Sequence, residues 1–190
     1  MHTEKDKIEF LKHLEPELLG LSRYARAIAG NSDDAKDIVS ETVLRAYENF
    51  GKIRDKSVFK SYLFTIATRY YRRSKKRLSI FQSIDNTNSE KWAYNGTKPD
   101  IAPDVEFLYK MMSRLPREQQ EALALFEISG FKIAEISEIQ NVTESAVKSR
   151  LKRGREKLTE LMTENISKKN IPGKTVNDMN LTHSGTEAKK

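Results

Sequence analysis

Apolar residues recur at intervals of three and four along most of this 190-residue chain. That spacing places them on one face of an α-helix. Sustained two-residue alternation bounded by turn pairs, which a half-buried strand would show, is missing. One clear helix follows Gly30, where Ser32 or Asp33 is suited to cap a stretch that ends at Gly51. We therefore predict an all-α fold.

Two segments interrupt the helical pattern and divide the chain. Residues 79–103 contain an Asn-Gly pair, two prolines and many Ser, Thr and Asn, which is typical of a flexible linker. Residues 165–190 are polar and predict a disordered tail. The sequence thus predicts two small helical domains, residues 1–78 and 104–164. The first has three helices, and a further short helix over residues 5–14 is compatible with its pattern.

The basic charge of the chain is concentrated in two places. The chain has 34 Lys and Arg against 27 Asp and Glu, a net charge of +7. Between residues 56 and 84 there are eight basic residues and no acidic one, and residues 148–157 hold six basic residues and one acid. Such clusters neutralise phosphates, so they favour a nucleic-acid partner. The alternative for each cluster is a solvated helix face.

Several classes of function are disfavoured by composition. Without Cys there is no disulfide framework, zinc finger or thiol nucleophile. The longest fully apolar run, residues 122–126, is far shorter than the ~20 residues of a membrane helix. The charged first ten residues do not match a signal peptide. The three His, at 2, 13 and 183, lie in the flanks, which disfavours a histidine-based active site or metal site. These observations predict a soluble intracellular protein and disfavour an enzyme of these classes, and we expect no cofactor.

Residues 132–161 predict a helix–turn–helix. A short apolar helix and a tight break precede a long basic helix that Thr143 can cap. If Val147, Leu151 and Leu158 face inward, Ser145, Lys148, Ser149 and Lys152 face outward, with Arg150, Arg153 and Arg155 on the flanks. Such a face suits the major groove of a DNA duplex. The alternative is an ordinary α-hairpin with a basic solvent face.

The string RYYRRSKKR, residues 69–77, predicts a second and different contact with nucleic acid. Tyr62, Tyr70 and Tyr71 lie near Lys60, Arg69, Arg72 and Arg73. Aromatic rings among cations can stack on unpaired bases while the charges follow the phosphates. For Tyr62 and Tyr70 the alternative is a core position, which we favour for Tyr70 as part of a stripe with Leu63, Ile66 and Ala67.

The two basic segments, in this order, resemble bacterial RNA polymerase sigma factors of the extracytoplasmic-function (ECF) group. DDAKDIVSETVLRAY and FKSYLFTIATRYYRRSKKR are similar to the second region of that family. The stretch from Leu115-Pro116 through Gly130 to the Val-Lys-Ser-Arg-Leu core at 147–151 is similar to its fourth region. The resemblance covers about residues 15–78 and 104–161.

The resemblance implies a non-enzymatic factor that binds core RNA polymerase, directs it to promoters and assists promoter opening. The basic helix of the second domain would read the minus-35 element as duplex, through Thr143, Ser145, Lys148, Ser149, Arg150, Lys152 and Arg153. The first domain would meet the melted minus-10 element through Lys60, Tyr62, Arg69, Tyr71, Arg72, Arg73, Lys76 and Arg77. Asp37, Glu41 and Arg45 would dock on the polymerase. Further expected partners are promoter DNA and, for some members, a membrane-linked anti-sigma factor; direct membrane insertion is not expected.

Alternatives remain at two points. Asp33, Asp37 and Glu41 fall on one helix face and could bind a cation, although a solvated or docking face is favoured and no metal is expected. A regulator that binds duplex DNA alone would explain the helix–turn–helix but neither the aromatic–basic helix nor the acidic one.

The sequence departs from the family pattern at several positions. Tyr62, Arg69 and Arg73 replace the common Trp, Asn and Asp. Gly154 replaces a common Ala, which should cost about 1 kcal/mol of helix propensity.

Overall fold

The computed structural model describes residues 4–84 and 103–169, with side chains over 4–76 and 103–165. No strand occurs in these residues, and the predicted all-α fold class is confirmed. The α-helices are α1 (Glu4–Ala29), α2 (Ser32–Asn49), α3 (Phe59–Ile84), α4 (Pro103–Met112), α5 (Arg117–Leu123), α6 (Ile133–Gln140) and α7 (Glu144–Lys169). Two 3-10 turns, Phe50–Lys52 and Lys56–Val58, join α2 to α3, and a π-helical turn, Ala124–Ile128, continues α5.

The predicted boundaries shift at three helix ends. Helix α3 continues to Ile84, α4 begins at Pro103 and α7 continues to Lys169, so part of the predicted linker and part of the predicted tail are helical. The rest of both predictions, over residues 85–102 and 170–190, lies outside the described residues.

The first helix is one element rather than two. It runs without interruption through Pro16, so a separate short helix over residues 5–14 is wrong. A proline inside a helix removes one backbone hydrogen bond and costs about 3 kcal/mol or more. Burial of Phe10 and Leu14 before the proline and of Leu21 after it offsets that cost, because all three enter the same core.

Local capping chemistry sets the start of α2. Gly30 takes φ +80° and ends α1, as its position predicts. The cap of α2 is Asn31, whose side-chain oxygen accepts a 2.8 Å hydrogen bond from the Asp34 amide. The prediction of Ser32 or Asp33 as the cap is therefore wrong by one or two residues.

Aromatic residues join the first three helices. The ring centroid of Phe10 in α1 lies 5.3 Å from Phe50 and 5.8 Å from Phe59, and the latter two rings are 5.4 Å apart, all edge to face. Such pairs add about 0.5–1.5 kcal/mol each beyond their buried area. This cluster fixes the point where the chain turns from α2 into α3.

The two helical units pack against each other, and their buried apolar residues form one continuous core. Helix α1 contacts α4, α5 and the π-helical turn, and α3 contacts α6. The Phe64 and Phe131 rings lie 4.8 Å apart across this boundary. Gln120 Nε2 donates to the carbonyls of Ala27 and Ile28 at 2.8 and 3.2 Å, which satisfies orphan acceptors in the last turn of α1. The packing brings α3 beside the start of α5.

Candidate nucleic-acid interface

Helices α6 and α7 form the predicted helix–turn–helix. Asn141 ends α6 in the left-handed conformation at φ 55°, and the Val142 amide donates back to the Ser137 carbonyl at 2.9 Å. Thr143 Oγ1 accepts a 3.3 Å hydrogen bond from the Ala146 amide, which confirms Thr143 as the cap of α7. The short helix thereby holds the first turns of α7 at the surface.

The inward and outward faces of α7 are as predicted near its start. Val147 and Leu151 are buried, and Leu158 is half-buried. Ser149 is also half-buried. The predicted outward residues Ser145, Lys148 and Lys152 are exposed, as are the cap Thr143 and the flanking Arg153. Within the described part of the chain, no carboxylate lies within ion-pair distance of the three basic residues of this set. Their charges are available to an anionic ligand.

Two arginines on the flanks of α7 are occupied by protein contacts. Arg150 is half-buried, and its Nη1 donates to Gln140 Oε1 at 2.8 Å, so it ties α7 to α6. Arg155 Nη2 lies 2.7 Å from Glu127 Oε1, and its guanidinium sits 5.3 Å from the Phe126 ring centroid. Of these two, only Arg150 belongs to the predicted DNA-binding set, and it has a structural partner here.

The basic face of α3 is only partly open. Arg69, Arg73 and Lys76 are exposed, whereas Lys60, Tyr62 and Arg72 are half-buried. Lys60 Nζ lies 5.0 Å from the Phe131 ring centroid and 3.9 Å from Glu17 Oε2. The side chain of Arg77 lies outside the described residues.

Tyr71 rather than Tyr70 occupies the core position that was expected for Tyr70. Tyr71 is 7% exposed, and burial, together with the nearby Glu121 carboxylate, raises its pKa to about 12. Tyr70 is half-buried, with the Arg45 guanidinium 5.6 Å from its ring centroid. In this arrangement Tyr71 cannot stack on a base. The buried face of α3 passes through Phe64 rather than Ile66, which rotates the stripe onto Tyr71.

Glu121 is a functional candidate that the sequence reasoning missed. It is fully buried at the contact between α3 and α5, where Arg72 Nε donates to its two oxygens at 3.1 Å and Nη2 donates at 2.5 Å. Gln140 Nε2 donates to it at 3.4 Å. The bond to Glu121 raises the pKa of Arg72. The one sequence signal was a carboxylate directly before the apolar run at 122–126.

A cleft of about 600 Å³ opens beside this ion pair. The described residues that line it are all basic: Arg69, Arg72, Arg73, Lys75, Lys76 and Arg117. The first five belong to α3, and Arg117 is the first residue of α5. The two helical units therefore build this cleft together.

The acidic face of α2 carries the predicted docking residues. Asp37 is exposed, and Glu41 Oε1 accepts a 2.6 Å hydrogen bond from Arg45 Nε one helical turn away. Leu44, on the same helix, is 53% exposed. Over residues 4–84 and 103–169 no group of three or more acidic, His or Cys side chains could hold a metal ion.

Comparison with known proteins identifies the helical units. Residues 15–79 match sigma-70 region 2, and residues 108–158 match sigma-70 region 4. The helix–turn–helix falls in the second match and the basic helix α3 in the first. The chain is thus built on the two regions that define sigma-70-type initiation factors.

Relatives place the chain more narrowly. It is 31% identical over 145 residues to the ECF RNA polymerase sigma factor EcfG of Rhodopseudomonas palustris strain TIE-1, covering 75% of this chain and 78% of the relative. It is 28% identical over 152 residues to SigM of Bacillus subtilis strain 168, covering 76% and 90%. The sigma factor RpoE from Bartonella quintana, solved in complex with the anti-sigma factor NepR, superposes with a TM-score of 0.70 at 28% identity, covering 82% of this chain and 97% of that one.

The chain belongs to the ECF RNA polymerase sigma factors. It binds core RNA polymerase and directs it to specific promoters in transcription initiation, as the resemblance in the sequence implied. Among the described helices, none is long and apolar enough to cross a membrane.

Proposed function

We propose that the outward face of α7 reads the minus-35 element, that α3 contacts the melted minus-10 strand and that the acidic face of α2 docks on core polymerase. The observation that carries this assignment is the exposed set on α7, whose lysines and arginine have no carboxylate partner in the described residues. In this assignment residues 1–78 form the region 2 domain and residues 104–164 the region 4 domain.

For the minus-35 element, the residues of α7 have different roles that depend on their position along the helix. Thr143 and Ser145 lie at the start of the helix, where short polar side chains can reach base edges in a major groove. Lys148, Lys152 and Arg153 follow on the exposed face and suit the phosphates. Ser149 directly follows Lys148 and is half-buried. Arg150 supports the helix through Gln140 and contacts DNA only if that bond opens.

For the minus-10 element, the exposed cations of α3 suit the phosphates of an opened strand. Arg69, Arg73 and Lys76 are presented to solvent, and Tyr62, which is half-buried, is the ring that we assign to base stacking. Arg72 already has a carboxylate partner, so it would exchange Glu121 for a DNA phosphate. That exchange requires α5 to move away from α3. Tyr71 and Lys60 enter the minus-10 assignment only in such an open arrangement. Arg77 belongs to the assignment on its place in the sequence alone.

For docking on polymerase, α2 offers charge and apolar surface together. Asp37 and Glu41 supply negative charge, Arg45 is held beside Glu41 and Leu44 adds exposed apolar area. A protein interface of this kind gains specificity from the charges and affinity from the apolar contact.

We further propose that the protein acts by binding rather than by catalysis and does so in the cytoplasm, where core polymerase is found. An anti-sigma factor is a candidate partner, since the RpoE relative was solved with one.

The test of the proposed function is run-off transcription with core polymerase on a library of genomic promoters. We expect the purified chain to bind promoter DNA weakly and the chain with core polymerase to bind strongly and initiate at defined sites. Tight operator binding by the chain without polymerase would instead support a regulator that acts alone.

A further inference from the structure

Helix α1 carries a row of apolar side chains on its outward side. Ile8 and Leu19 are 63% and 61% exposed, and Leu11 lies between them at 39%. At 3.6 residues per turn, this row points away from Phe10 and Leu14, which enter the core. Half of the large apolar side chains that are exposed in the described residues fall on it. Because such residues are normally scattered singly, a row of three on one helix indicates an interaction surface.

Charged side chains stand beside the apolar row. Lys12 and Glu15 lie on the same side of α1, and both are exposed. Neither of these two has an ion pair within the part of the chain that the structure describes. Glu4 and Arg23, at the two ends of the row, are also exposed, and Glu4 forms an exposed pair with Lys7 at 3.7 Å. A partner on this face can therefore be recognised by charge as well as by apolar contact.

The face is complementary to itself when two copies of α1 lie antiparallel. If Ile8 lies opposite Leu19 of the second copy, Lys12 lies opposite Glu15 and Glu4 lies opposite Arg23. A twofold axis forms each of these pairs twice. A parallel pair in register would instead place Lys12 beside Lys12 and Glu15 beside Glu15, and like charges repel. The charges thus favour the antiparallel arrangement.

Helix α4 limits the face at one end and selects the same register. Arg26 lies on the outward side of α1, where its Nη2 is 3.8 Å from Glu106 Oε1 of α4. A second helix on the row must therefore end before Arg26. The described helix begins at Glu4, and the antiparallel register places Glu4 opposite Arg23, one turn before α4. Val105, the neighbour of Glu106, is 39% exposed and extends the apolar surface at this end.

We propose that two copies of this chain associate through the outward faces of α1, antiparallel about a twofold axis. Ile8 packs against Leu19 of the second copy, and Lys12 pairs with its Glu15. The facing helices, over residues 4–23, are about 30 Å long. A single helix pair of this length gives an interface near the lower limit for specific complexes, roughly 1,200 Å². We therefore expect a weak, reversible dimer with a Kd in the micromolar range.

The dimer does not rest on the proposed function. The outward face of α1 contains none of the residues that we assign to promoter DNA or to docking on core polymerase. Failure of either proposal would therefore leave the other standing.

The first test is sedimentation equilibrium of the full chain over a series of protein concentrations. We expect the average mass to rise reversibly from that of one chain to that of two, with weaker association at high salt because the ion pairs are screened. A mass of one chain at every concentration overturns the proposal. A mass that grows beyond two chains would show open-ended association and would also overturn it, because a twofold face is closed.

An exchange of charges tests the predicted ion pairs. Lys12→Glu places like charges at two symmetric points and should raise the Kd of the dimer about tenfold. Adding Glu15→Lys to this variant exchanges the two charges and should restore most of the affinity. Lys36→Glu is the matched control, because it makes the same charge change at an exposed position on α2. Equal weakening by Lys12→Glu and Lys36→Glu, or no recovery in the double variant, would refute the pairing.

Disulfide crosslinking tests the direction of the two helices. The chain has no Cys, so each variant carries one thiol. In the antiparallel dimer, the two copies of residue 8 are roughly 16 Å apart along the helices, too far for a disulfide, whereas residue 8 faces residue 19. Under mild oxidation, an equal mixture of the Ile8→Cys and Leu19→Cys chains should crosslink, and each variant alone should not. Crosslinking of Ile8→Cys with itself would indicate a parallel pair, and absence of crosslinks in the mixture would show that the two residues do not meet; either result overturns the proposal.

Discussion

At residue scale, Gly154 shows how packing can reverse a propensity argument. A Cβ at this position would lie 2.9 Å from Leu123 Cδ1 and 3.2 Å from its Cγ. Leu123 is 2% exposed, so it has little room to move. We expect Gly154→Ala to lose on the order of 1 kcal/mol of stability in urea unfolding, because overpacking of about 1–3 kcal/mol exceeds the gain in helix propensity of about 1.

The matched control is Gly51→Ala. No atom lies within 4 Å of a Cβ at Gly51, and its φ is not positive. Its free energy of unfolding should change by no more than about 0.5 kcal/mol, which is the usual range for surface substitutions. A raised midpoint for Gly154→Ala would show that the contact with Leu123 relaxes without cost.

Tyr71 gives a prediction for the pH dependence of stability. Its pKa is raised from 10.0 to about 12, so the folded protein keeps the phenol proton between those values while the unfolded chain loses it. Stability should therefore be fully present below pH 10 and fall as the pH rises towards 12, by on the order of 2 kcal/mol from this group. Tyr71→Phe should flatten that part of the curve, as measured by denaturant titration at each pH. An unchanged slope would contradict the assigned burial.

The two tyrosines also show where sequence reasoning fails at this scale. Helical spacing allows either Ile66 and Tyr70 or Phe64 and Tyr71 to complete the stripe with Leu63 and Ala67. The choice depends on which side the second unit covers, and periodicity in α3 alone holds no such information.

At the scale of single elements, α7 should behave as a duplex reader. Lys148→Ala and Lys152→Ala should each weaken minus-35 binding by the holoenzyme and lower the magnitude of the salt slope by about one, because each removes one phosphate contact. The measurement is promoter affinity as a function of salt concentration.

Lys110→Ala is a suitable control for these variants. Lys110 is exposed on α4, whose neighbour Met111 contacts Asn165 near the far end of α7. At 1.5 Å per residue that end lies roughly 20 Å from the DNA-reading turns. Unchanged salt slopes for both α7 variants would show that Lys148 and Lys152 do not contact phosphates.

Helix α2 should behave as a protein-docking element. Glu41→Lys places a cation beside Arg45, where the present hydrogen bond is 2.6 Å, and reverses charge on the proposed docking face. We expect a loss of core polymerase in co-purification that exceeds any loss of DNA contact. Glu15→Lys, at an exposed position on α1, makes the same charge change elsewhere and should co-purify normally. Normal yield with Glu41→Lys would argue against this docking face.

The elements that could be predicted are those whose structure is determined by residues close together in the sequence. The helix–turn–helix follows from the cap at Thr143, the break after α6 and the local apolar spacing, all within about thirty residues. The continuity of α1 through Pro16 could not be predicted in this way, because distant core residues compensate the lost backbone bond.

At the scale of the whole molecule, no residue pattern within either helical unit predicts the contact between the two units. Gln120 donates to Ala27 across 93 residues of sequence, and Arg72 reaches Glu121 across 49. Each of these side chains sits in a helix that could equally face solvent. Two helical units could therefore be predicted, but not which faces they share.

The Arg72–Glu121 pair allows a test of the closed arrangement, in which α3 and α5 are in contact. Removing one partner of a buried ion pair costs about 3–5 kcal/mol, and an isosteric amide that retains part of the hydrogen bonding costs less. We expect Glu121→Gln to loosen the contact between α3 and α5 and to raise the radius of gyration measured by small-angle X-ray scattering. Glu127→Gln is the control, because its partner Arg155 belongs to the same unit and the pair is exposed.

The same variant decides whether closure opposes promoter binding. If a DNA phosphate replaces Glu121 as the partner of Arg72, the carboxylate competes with DNA and its removal should favour the open form. The Glu121→Gln holoenzyme should then form promoter complexes at a lower concentration of the factor than the unsubstituted protein does, while Glu127→Gln should not change that concentration. A variant that opens in solution but needs more factor would show that Glu121 supports the promoter-bound state, and that Arg72 keeps its carboxylate partner when the strand is bound.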